Sequence, residues 1–346
     1  MLKKTTGPGL FRLFLALLVF AHHLSRFSVG SYAVYVFFCL SGFWIYKMYV
    51  GRYALTRQPY FTYMVSRAWR LLPTFLLITV LALLYVFAEG LPGFTWHGWS
   101  NLDKAHFIFS NLFILGYDGL QQKLLVPAWS LDIEMQFYLI APLIVLLLAR
   151  RRVSPVWAVL AAAAISLACF LLGSPVALGG YLVFFVIGMA ASCADWRPSS
   201  RQVLVSLGVI ALLTAACLVS PWRGILLVGA HPGPLSVFTP HANAVLALLT
   251  VPYAIYTTGQ KGFSADGMFA DLSYVVYLLH WIATMWIYAH PGSLAYRFTS
   301  AGVACVLVLG LSYIIWKFYD HPINRMRSRW VSGRKKNVVA ATGSAH

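Results

Sequence analysis

The sequence predicts an all-α membrane protein, a polytopic bundle of about ten transmembrane helices. Of its 346 residues, 60% are hydrophobic and only 10% are charged, and the mean hydropathy is +0.75. Apolar runs of about 20 residues recur along the chain, and a helix of that length crosses a bilayer. This composition excludes a soluble globular domain. The predicted spans are residues 10–27, 32–50, 63–88, 129–149, 156–173, 177–194, 203–219, 241–258, 270–290 and 298–319.

Basic residues set the predicted orientation. The net charge of +17 would by itself fit a nucleic-acid-binding protein. With a cytoplasmic N-terminus, however, all but five of the 26 lysines and arginines fall at or near cytoplasmic helix ends. This positive-inside bias argues against a nucleic-acid partner and predicts that both termini are cytoplasmic, with some attraction to anionic lipid headgroups. The five exceptions are Arg26, Lys104, Lys123, Arg223 and Arg297.

A single bundle is predicted to fill the chain, because no polar block is long enough for a second domain. Residues 1–322 form this predicted transmembrane domain, and residues 323–346 are expected to be a basic, disordered cytoplasmic tail. Lys3 and Lys4 precede an apolar core as in a signal peptide. No small-residue cleavage site follows, so this core is expected to remain as the first span. The five cysteines show neither metal-ligand nor disulfide spacing, and no metal site is expected.

Two long loops, residues 89–128 and 220–240, are predicted to be external. Within the first, the run 107–116 is apolar but too short to span, which favours an interfacial or re-entrant helix. Loops of this kind could recognise a substrate outside the cytoplasm, or they could simply cover the bundle. The sequence leaves both interpretations open.

The first span contains two ionisable residues near one helix face, Arg12 and His23. They are eleven residues apart, which corresponds to about 16 Å of helical rise. Arg12 lies near the cytoplasmic side and His23 near the outer side, whereas the side chain of His22 points about 100° away. A packing role would be usual for a histidine in an apolar helix. Intramembrane histidines are rare and usually functional, so His23 is a candidate site residue.

Arg67 and Arg70 stand at the cytoplasmic start of the third span. Their spacing of three residues lets both guanidinium groups share one helix face. The planar fork of arginine suits phosphate groups. The same spacing also fits simple anchoring at the membrane edge.

The fourth span opens with residues 129–138, which include two carboxylates, Asp132 and Glu134. An ionised side chain in hydrocarbon costs several kcal/mol and is kept where it faces a bundle interior or a water-filled cavity. Glu134 lies at a depth similar to that of His23. A carboxylate beside an imidazole orients the ring and raises its basicity. We therefore expect a His23–Glu134 pair.

In the ninth predicted span, Ser273, Tyr277 and His280 share one helical stripe. Tyr274 and Trp281 could equally be packing residues.

Together these motifs resemble the acyltransferase-3 family, bacterial inner-membrane proteins that acylate, and most often acetylate, sugar hydroxyls of cell-envelope molecules. The resemblance covers nearly the whole chain, with five motifs in the family's order. Two departures are Tyr35, where the family often has aspartate, and Asp320-His321-Pro322 in place of Glu-x-Pro. The matching residues are Arg12 and His23; Phe37, Phe38, Ser41, Gly42 and Phe43; Arg67, Arg70 and Pro73; Trp129 to Tyr138; and Ser273 to His280.

The resemblance implies an O-acyltransferase of the bacterial inner membrane. Its donor would be acetyl-CoA or another acyl-CoA, with no permanently bound cofactor, and its acceptor a carbohydrate or glycolipid such as O-antigen or exopolysaccharide. The resemblance implies that His23 is the base and that Glu134 is its catalytic partner. The implied donor-binding residues are Arg12, Arg67 and Arg70, and the implied substrate-binding residues are Trp129, Ser130, Tyr277 and His280.

Two rival functions also fit polar residues at depth. One is a transporter or flippase for a lipid-linked glycan, and the other is a membrane sensor or scaffold. Transporters often contain inverted repeats and interrupted helices. The sequence shows neither, which favours the enzyme.

Overall fold

The computed structural model describes residues 6–90, 98–172, 177–228, 232–260 and 262–335. Within these ranges the chain is a helical bundle, which confirms the predicted all-α class. The helices are α1 (Pro8–Leu24), α2 (Gly30–Met48), α3 (Pro59–Glu89), α4 (Asn101–Phe113), α5 (Trp129–Ala149), α6 (Pro155–Leu171), α7 (Ala177–Cys193), α8 (Ser200–Val219), α9 (Thr239–Thr258), α10 (Asp266–Ala289), α11 (Leu294–Ile315) and α12 (His321–Gly333).

Each of the predicted spans coincides with an apolar helix. Seven helices in the described ranges are long and apolar enough to cross a membrane, while α1, α6 and α7 are apolar but shorter. The most apolar window of α10 is 61% buried and that of α8 only 11%. Hence α10 lies at the centre of the bundle and α8 at its lipid-facing edge. The number of crossings and the side of the termini stay predictions.

Two glycines let α2 and α7 pack backbone to backbone. A Cβ atom at Gly42 would overlap the carbonyl oxygen of Phe185, and one at Gly188 would overlap the carbonyl oxygen of Cys39. Small residues of this kind allow membrane helices to approach closely and gain van der Waals contact. The contact fixes the position of α2, whose Ser41 borders the candidate site.

The parallel helices α1 and α10 are held in register at their first turns. The carboxylate of Asp266 accepts hydrogen bonds from the backbone N–H groups of Gly9 (2.9 Å) and Leu10 (3.0 Å). Free N–H groups at a helix start need such an acceptor, and a negative charge there also interacts favourably with the helix dipole. His23 follows Gly9 by 14 residues, and His280 follows Asp266 by 14 residues. Because the two helices are parallel and paired at Gly9 and Asp266, the two histidines lie at the same height.

The first of the two long loops contains a short amphipathic helix, α4. It begins at Asn101, earlier than the apolar run suggests, because Ser100 and Asp103 form a capping box. Hydrogen bonds from Ser100 lower the pKa of Asp103. Phe109 and Phe113 are exposed, as an interfacial helix requires. Residues 91–97 of this loop lie outside the described ranges.

Asp132 anchors the return of this loop to α5. Its Oδ1 atom accepts the N–H of Gly116 (3.0 Å), and its Oδ2 atom accepts the N–H of Asp118 (2.9 Å). Gln136 also donates to Oδ1. The buried carboxylate of Asp132 therefore holds the loop against α5.

The predicted disordered tail needs a correction, because its first part belongs to helix α12. Arg327 donates to the hydroxyl of Ser66 (3.0 Å), and Arg334 donates to the hydroxyl of Thr62 (3.1 Å). Val331 is completely buried. Basic residues suggested a solvated segment, but an amphipathic helix uses them to dock on α3. Residues 336–346 of the tail lie outside the described ranges.

Candidate active site

A cavity of about 50 Å³ lies between α1, α2, α5 and α10. Its lining includes four of the predicted site residues, Arg12, Ser130, Glu134 and Tyr277. About 10–15 Å³ suffices to hold one water molecule, so this space admits a few water molecules or a group the size of acetyl. The remaining lining residues are Val34, Phe37, Phe38, Leu131, Ser273 and Tyr274.

Glu134 is held at this cavity by two hydroxyl groups. Its Oε1 atom accepts hydrogen bonds from Ser41 of α2 and Tyr138 of α5, both at 2.6 Å. Bonds of this length to a carboxylate are charge-assisted and strong. They fix the orientation of the side chain.

Arg12 brings the positive charge of the cavity. Its Nε atom is buried and has no hydrogen-bond partner among the described residues. The guanidinium carbon lies 5.9 Å from the ring centroid of Phe37. A buried donor left without a partner costs free energy, so Arg12 is suited to bind an oxygen atom of a substrate.

Two further hydroxyl groups meet on the side of the cavity nearer His280. Ser130 Oγ and Tyr277 OH are 2.7 Å apart, and both contact the carbonyl oxygen of Pro127, at 3.1 and 3.0 Å respectively. This contact joins α5 to α10. Hydroxyl groups can rotate, so either one could turn its hydrogen toward a substrate oxygen and stabilise a developing oxyanion there.

His23 and His280 stack beyond the cavity. Their ring centroids are 5.4 Å apart, and their planes differ by 24°. The His280 ring also lies 6.2 Å from that of Tyr277. His280 therefore stands between the cavity and His23.

The hydrogen bonding of His280 fixes its tautomer. Its Nδ1 atom lies 3.1 Å from the carbonyl oxygen of Val276. Because a carbonyl oxygen only accepts, Nδ1 carries the proton. The Nε2 atom of this buried ring has no partner among the described residues.

His22 and His23 have different surroundings. His22 Nδ1 contacts the carbonyl oxygen of Phe27 (3.2 Å), and its ring packs over Gly30, so it stabilises the turn between α1 and α2. His23 is half-buried, and its ring packs against those of His22, His280 and Trp281. No hydrogen bond joins its ring nitrogens to another described residue. A free imidazole of this kind can act as a base.

The expected pairing of His23 with Glu134 is not present. Glu134 is bonded to Ser41 and Tyr138, whereas His23 contacts His280. Similar depth in the membrane does not by itself bring two side chains on different helices into contact. Helix α10 packs along α1 and inserts the Tyr277 and His280 rings between His23 and α5.

The two arginines of α3 lie in different environments. Arg70 forms ion pairs with Asp271 (3.0 Å) and Asp320 (3.3 Å). Asp320 is 1% exposed and also accepts a hydrogen bond from Thr74 (2.7 Å). The two carboxylates compensate the charge of Arg70.

Sequence reasoning missed both of these carboxylates as site residues. The chain has only nine acidic residues, so each one inside an apolar segment carries information. The sequence marks Asp320 only as a departure from the family's Glu-x-Pro, and its contact with Arg70 depends on the folded chain.

Arg67 is enclosed by tyrosine side chains. It is 8% exposed and donates to the hydroxyl of Tyr53 (3.2 Å). Its guanidinium carbon lies 5.7 Å from the ring of Tyr53, 5.8 Å from that of Tyr63 and 5.7 Å from that of Tyr138. Tyr138 in turn donates to Glu134, so Arg67 is linked to the cavity. Donor binding by either arginine stays a prediction.

Trp129 does not line the cavity. Its ring packs against Tyr181 (5.5 Å) and Phe38 (6.4 Å). Because Phe38 is a cavity residue, Trp129 supports the wall from behind. Its predicted contact with substrate stays a prediction.

Comparison with known proteins identifies the family of the chain. Residues 6–317 match the acyltransferase-3 family model, which is described as an acyltransferase domain. No curated protein and no solved structure gives a significant match. The family match includes every residue of the cavity and both stacked histidines. The chain therefore belongs to the acyltransferase-3 family and is a membrane acyltransferase.

Proposed function

We propose that this acyltransferase transfers an acetyl group from acetyl-CoA to a sugar hydroxyl of a cell-envelope glycan. The acceptor would be O-antigen or exopolysaccharide at the outer face of the bacterial inner membrane. The observation that carries the proposal is the small cavity with Arg12 and Glu134 on its wall and His23 beyond it. In the predicted orientation, a donor from the cytoplasm and an acceptor from outside would meet at this point.

The cavity supports acetyl as the transferred group. A volume of about 50 Å³ matches a two-carbon acyl group better than a long chain. The unpartnered Nε of Arg12 could bind an oxygen atom of the donor. Ser130 and Tyr277 could donate to the thioester oxygen as it gains negative charge during attack.

His23 is the proposed base. It removes the proton from the acceptor hydroxyl, and the oxygen attacks the thioester carbonyl carbon. The carbon–sulfur bond then breaks, and the CoA thiolate takes up the proton from His23. His280, between His23 and Tyr277, lies beside the acceptor's route, and its free Nε2 could orient the hydroxyl.

Glu134 acts on this chemistry through its charge. It lines the same cavity as Arg12 and is fixed by Ser41 and Tyr138. A carboxylate there would offset the arginine charge while the donor binds. It would thus tune electrostatic stabilisation of the transition state without touching His23.

Acetyl transfer in proteoliposomes tests the proposal. The purified protein would receive deuterated acetyl-CoA on one side and an isolated envelope oligosaccharide on the other. We expect a deuterated O-acetyl ester on the sugar, detected by mass spectrometry, and its absence with His23→Ala. Movement of the oligosaccharide across the bilayer without ester formation would instead support the flippase.

A further inference from the structure

A second and larger cavity lies at the outer end of α8. Its volume is about 460 Å³, within the range of roughly 300–1,000 Å³ found for ligand pockets. Its wall is formed by the last turns of α8, the segment from Ser220 to Leu226, and the first turns of α9. We call this space the α8–α9 groove.

The groove is suited to an apolar chain. Its walls include Leu213, Leu226 and Leu246. Two of its polar side chains are already bonded to backbone, since Cys217 donates to the carbonyl of Trp222 (3.3 Å) and Ser220 to that of Cys217 (3.1 Å). A sugar would lose hydrogen bonds to water here, whereas an alkyl or isoprenoid chain would gain from burial.

The depth of the groove matches the outer leaflet. Four residues of α8 line it, namely Leu213, Thr214, Ala216 and Cys217, and α8 ends at Val219. The lining therefore extends about 9 Å below the end of the helix. In the predicted orientation this end is external, so the groove opens among the lipid tails of the outer leaflet.

Two arginines lie on chain segments that adjoin the groove. Arg223 directly follows the groove residue Trp222, and the carbonyl of Arg26 accepts the N–H of Val228 (3.0 Å). Both side chains are exposed, and neither forms an ion pair with a described residue. Both are also exceptions to the positive-inside distribution. Exposed guanidinium groups at a membrane surface suit a lipid phosphate.

The groove is continuous with the turn that follows His23. Phe27 and Leu227 form an isolated β-bridge, and the backbone N–H of Ser28 donates to the carbonyl oxygen of Leu226 (2.7 Å). Val29 packs in one apolar cluster with Leu226. A lipid in the groove would thus have its headgroup beside the outer end of α1.

We propose that the α8–α9 groove binds the tail of a lipid that carries the acceptor sugar through a phosphate. The tail lies in the groove, the phosphate contacts Arg26 and Arg223, and the attached sugar extends toward His23. This inference rests on the proposed function and deepens it by naming the acceptor class, a lipid-linked phosphoglycan. Ordinary membrane phospholipid is the competing occupant.

Photo-crosslinking tests the occupant directly. The full chain in phosphatidylcholine nanodiscs would be labelled with a diazirine-bearing polyprenyl phosphate and digested for mass spectrometry. We expect cross-links within the last turns of α8 and the first turns of α9. Unlabelled polyprenyl phosphate should displace the probe, whereas phosphatidylglycerol and phosphate-free polyprenol should not. Equal displacement by phosphatidylglycerol would overturn the proposal and identify a site for bulk lipid.

Two matched pairs of variants sharpen the test. Ala216 and Ala215 are both exposed, but only Ala216 lines the groove. Ala216→Phe should therefore reduce labelling on the order of tenfold, and Ala215→Phe should leave it unchanged. Replacing both Arg26 and Arg223 by Gln should reduce it on the order of tenfold, unlike Arg297→Gln at another predicted external arginine. Equal labelling within each pair would overturn the proposal, and competition on the unmodified protein remains decisive if a variant misfolds.

Labelling requires neither acetyl-CoA nor turnover, so the two proposals can fail separately. His23→Ala should be labelled like the unmodified chain. Groove-specific labelling without acetyl transfer would support the lipid site and contradict the proposed function. Acetyl transfer to a lipid-free oligosaccharide without groove labelling would support the proposed function and contradict the lipid site.

Discussion

His23 stacks on His280, with ring centroids 5.4 Å apart. The contact follows from the register of α1 and α10, which Asp266 fixes by capping α1 at Gly9 and Leu10. His280 belongs to the same helix as Tyr277, a residue of the cavity. The stacked pair therefore connects the C-terminal end of α1 with the cavity wall.

Replacing the proposed base should remove acetyl transfer. In His23→Ala, no imidazole can take the proton from the acceptor hydroxyl. We expect the rate of product formation to fall at least about a hundredfold, the usual effect of losing a general base. Mass spectrometry of the acetylated sugar measures this rate, and folding is checked by the elution profile in detergent. Full activity would exclude His23 as the base.

The neighbouring histidine is the matched control. His22→Ala loses a contact with the α1–α2 turn, so a slightly lower stability and a nearly normal rate are expected.

Neutralising Glu134 should slow the reaction while keeping the fold. Glu134→Gln retains an oxygen that can accept from Ser41 and Tyr138, but it removes the charge facing the Arg12 cavity. We expect a lower maximal rate at an unchanged melting temperature. An unchanged rate would mean that Glu134 serves only as a structural acceptor.

The control for this experiment is two residues away. Asp132→Asn weakens the anchoring of Gly116 and Asp118, and we therefore expect a lower melting temperature rather than a primary effect on chemistry.

Removing Arg70 should destabilise the protein. Arg70→Ala leaves Asp271 and Asp320 without their cation, and breaking a buried pair in this way costs about 3 kcal/mol. We expect a lower unfolding midpoint, with partial recovery in Arg70→Ala/Asp320→Asn. If the midpoint is unchanged and only the KM for acetyl-CoA rises, Arg70 binds the donor instead of holding the helices together.

Arg67 tests donor binding more directly. Arg67→Ala should weaken the use of acetyl-CoA more than the use of the acceptor, and Arg67→Lys should rescue it only partly, because lysine lacks the planar fork. The measurement is the KM for each substrate, with exposed Arg150→Ala as the control. Unchanged donor kinetics would leave Arg67 as a packing residue within its tyrosine cage.

The two-sided mechanism requires a defined topology. Reporter fusions at Gly90 and Gly233 should report the outside, and a fusion at the C-terminus should report the cytoplasm. A cytoplasmic signal from Gly90 or Gly233 would contradict the span assignment and the entry of donor and acceptor from opposite sides.

The sequence alone determined the fold class, the apolar helices and the residues worth examining. Hydrocarbon requires long apolar helices and makes buried charges rare, so composition and spacing reveal both. Together with the resemblance to the acyltransferase-3 family, this reasoning placed Arg12, Ser130, Glu134 and Tyr277 among the site residues, and the structure gathers these four around one cavity.

Only the tertiary structure decided which of these residues meet. Asp132 and Glu134 lie about 200° apart around α5. The orientation of α5 about its axis places Asp132 against the loop and Glu134 at the cavity. The packing of α10 against α1 gives His23 a histidine neighbour in place of Glu134. Arg70 finds its carboxylates on distant segments of the chain. Such contacts depend on how whole helices rotate and pack, which local sequence patterns do not specify.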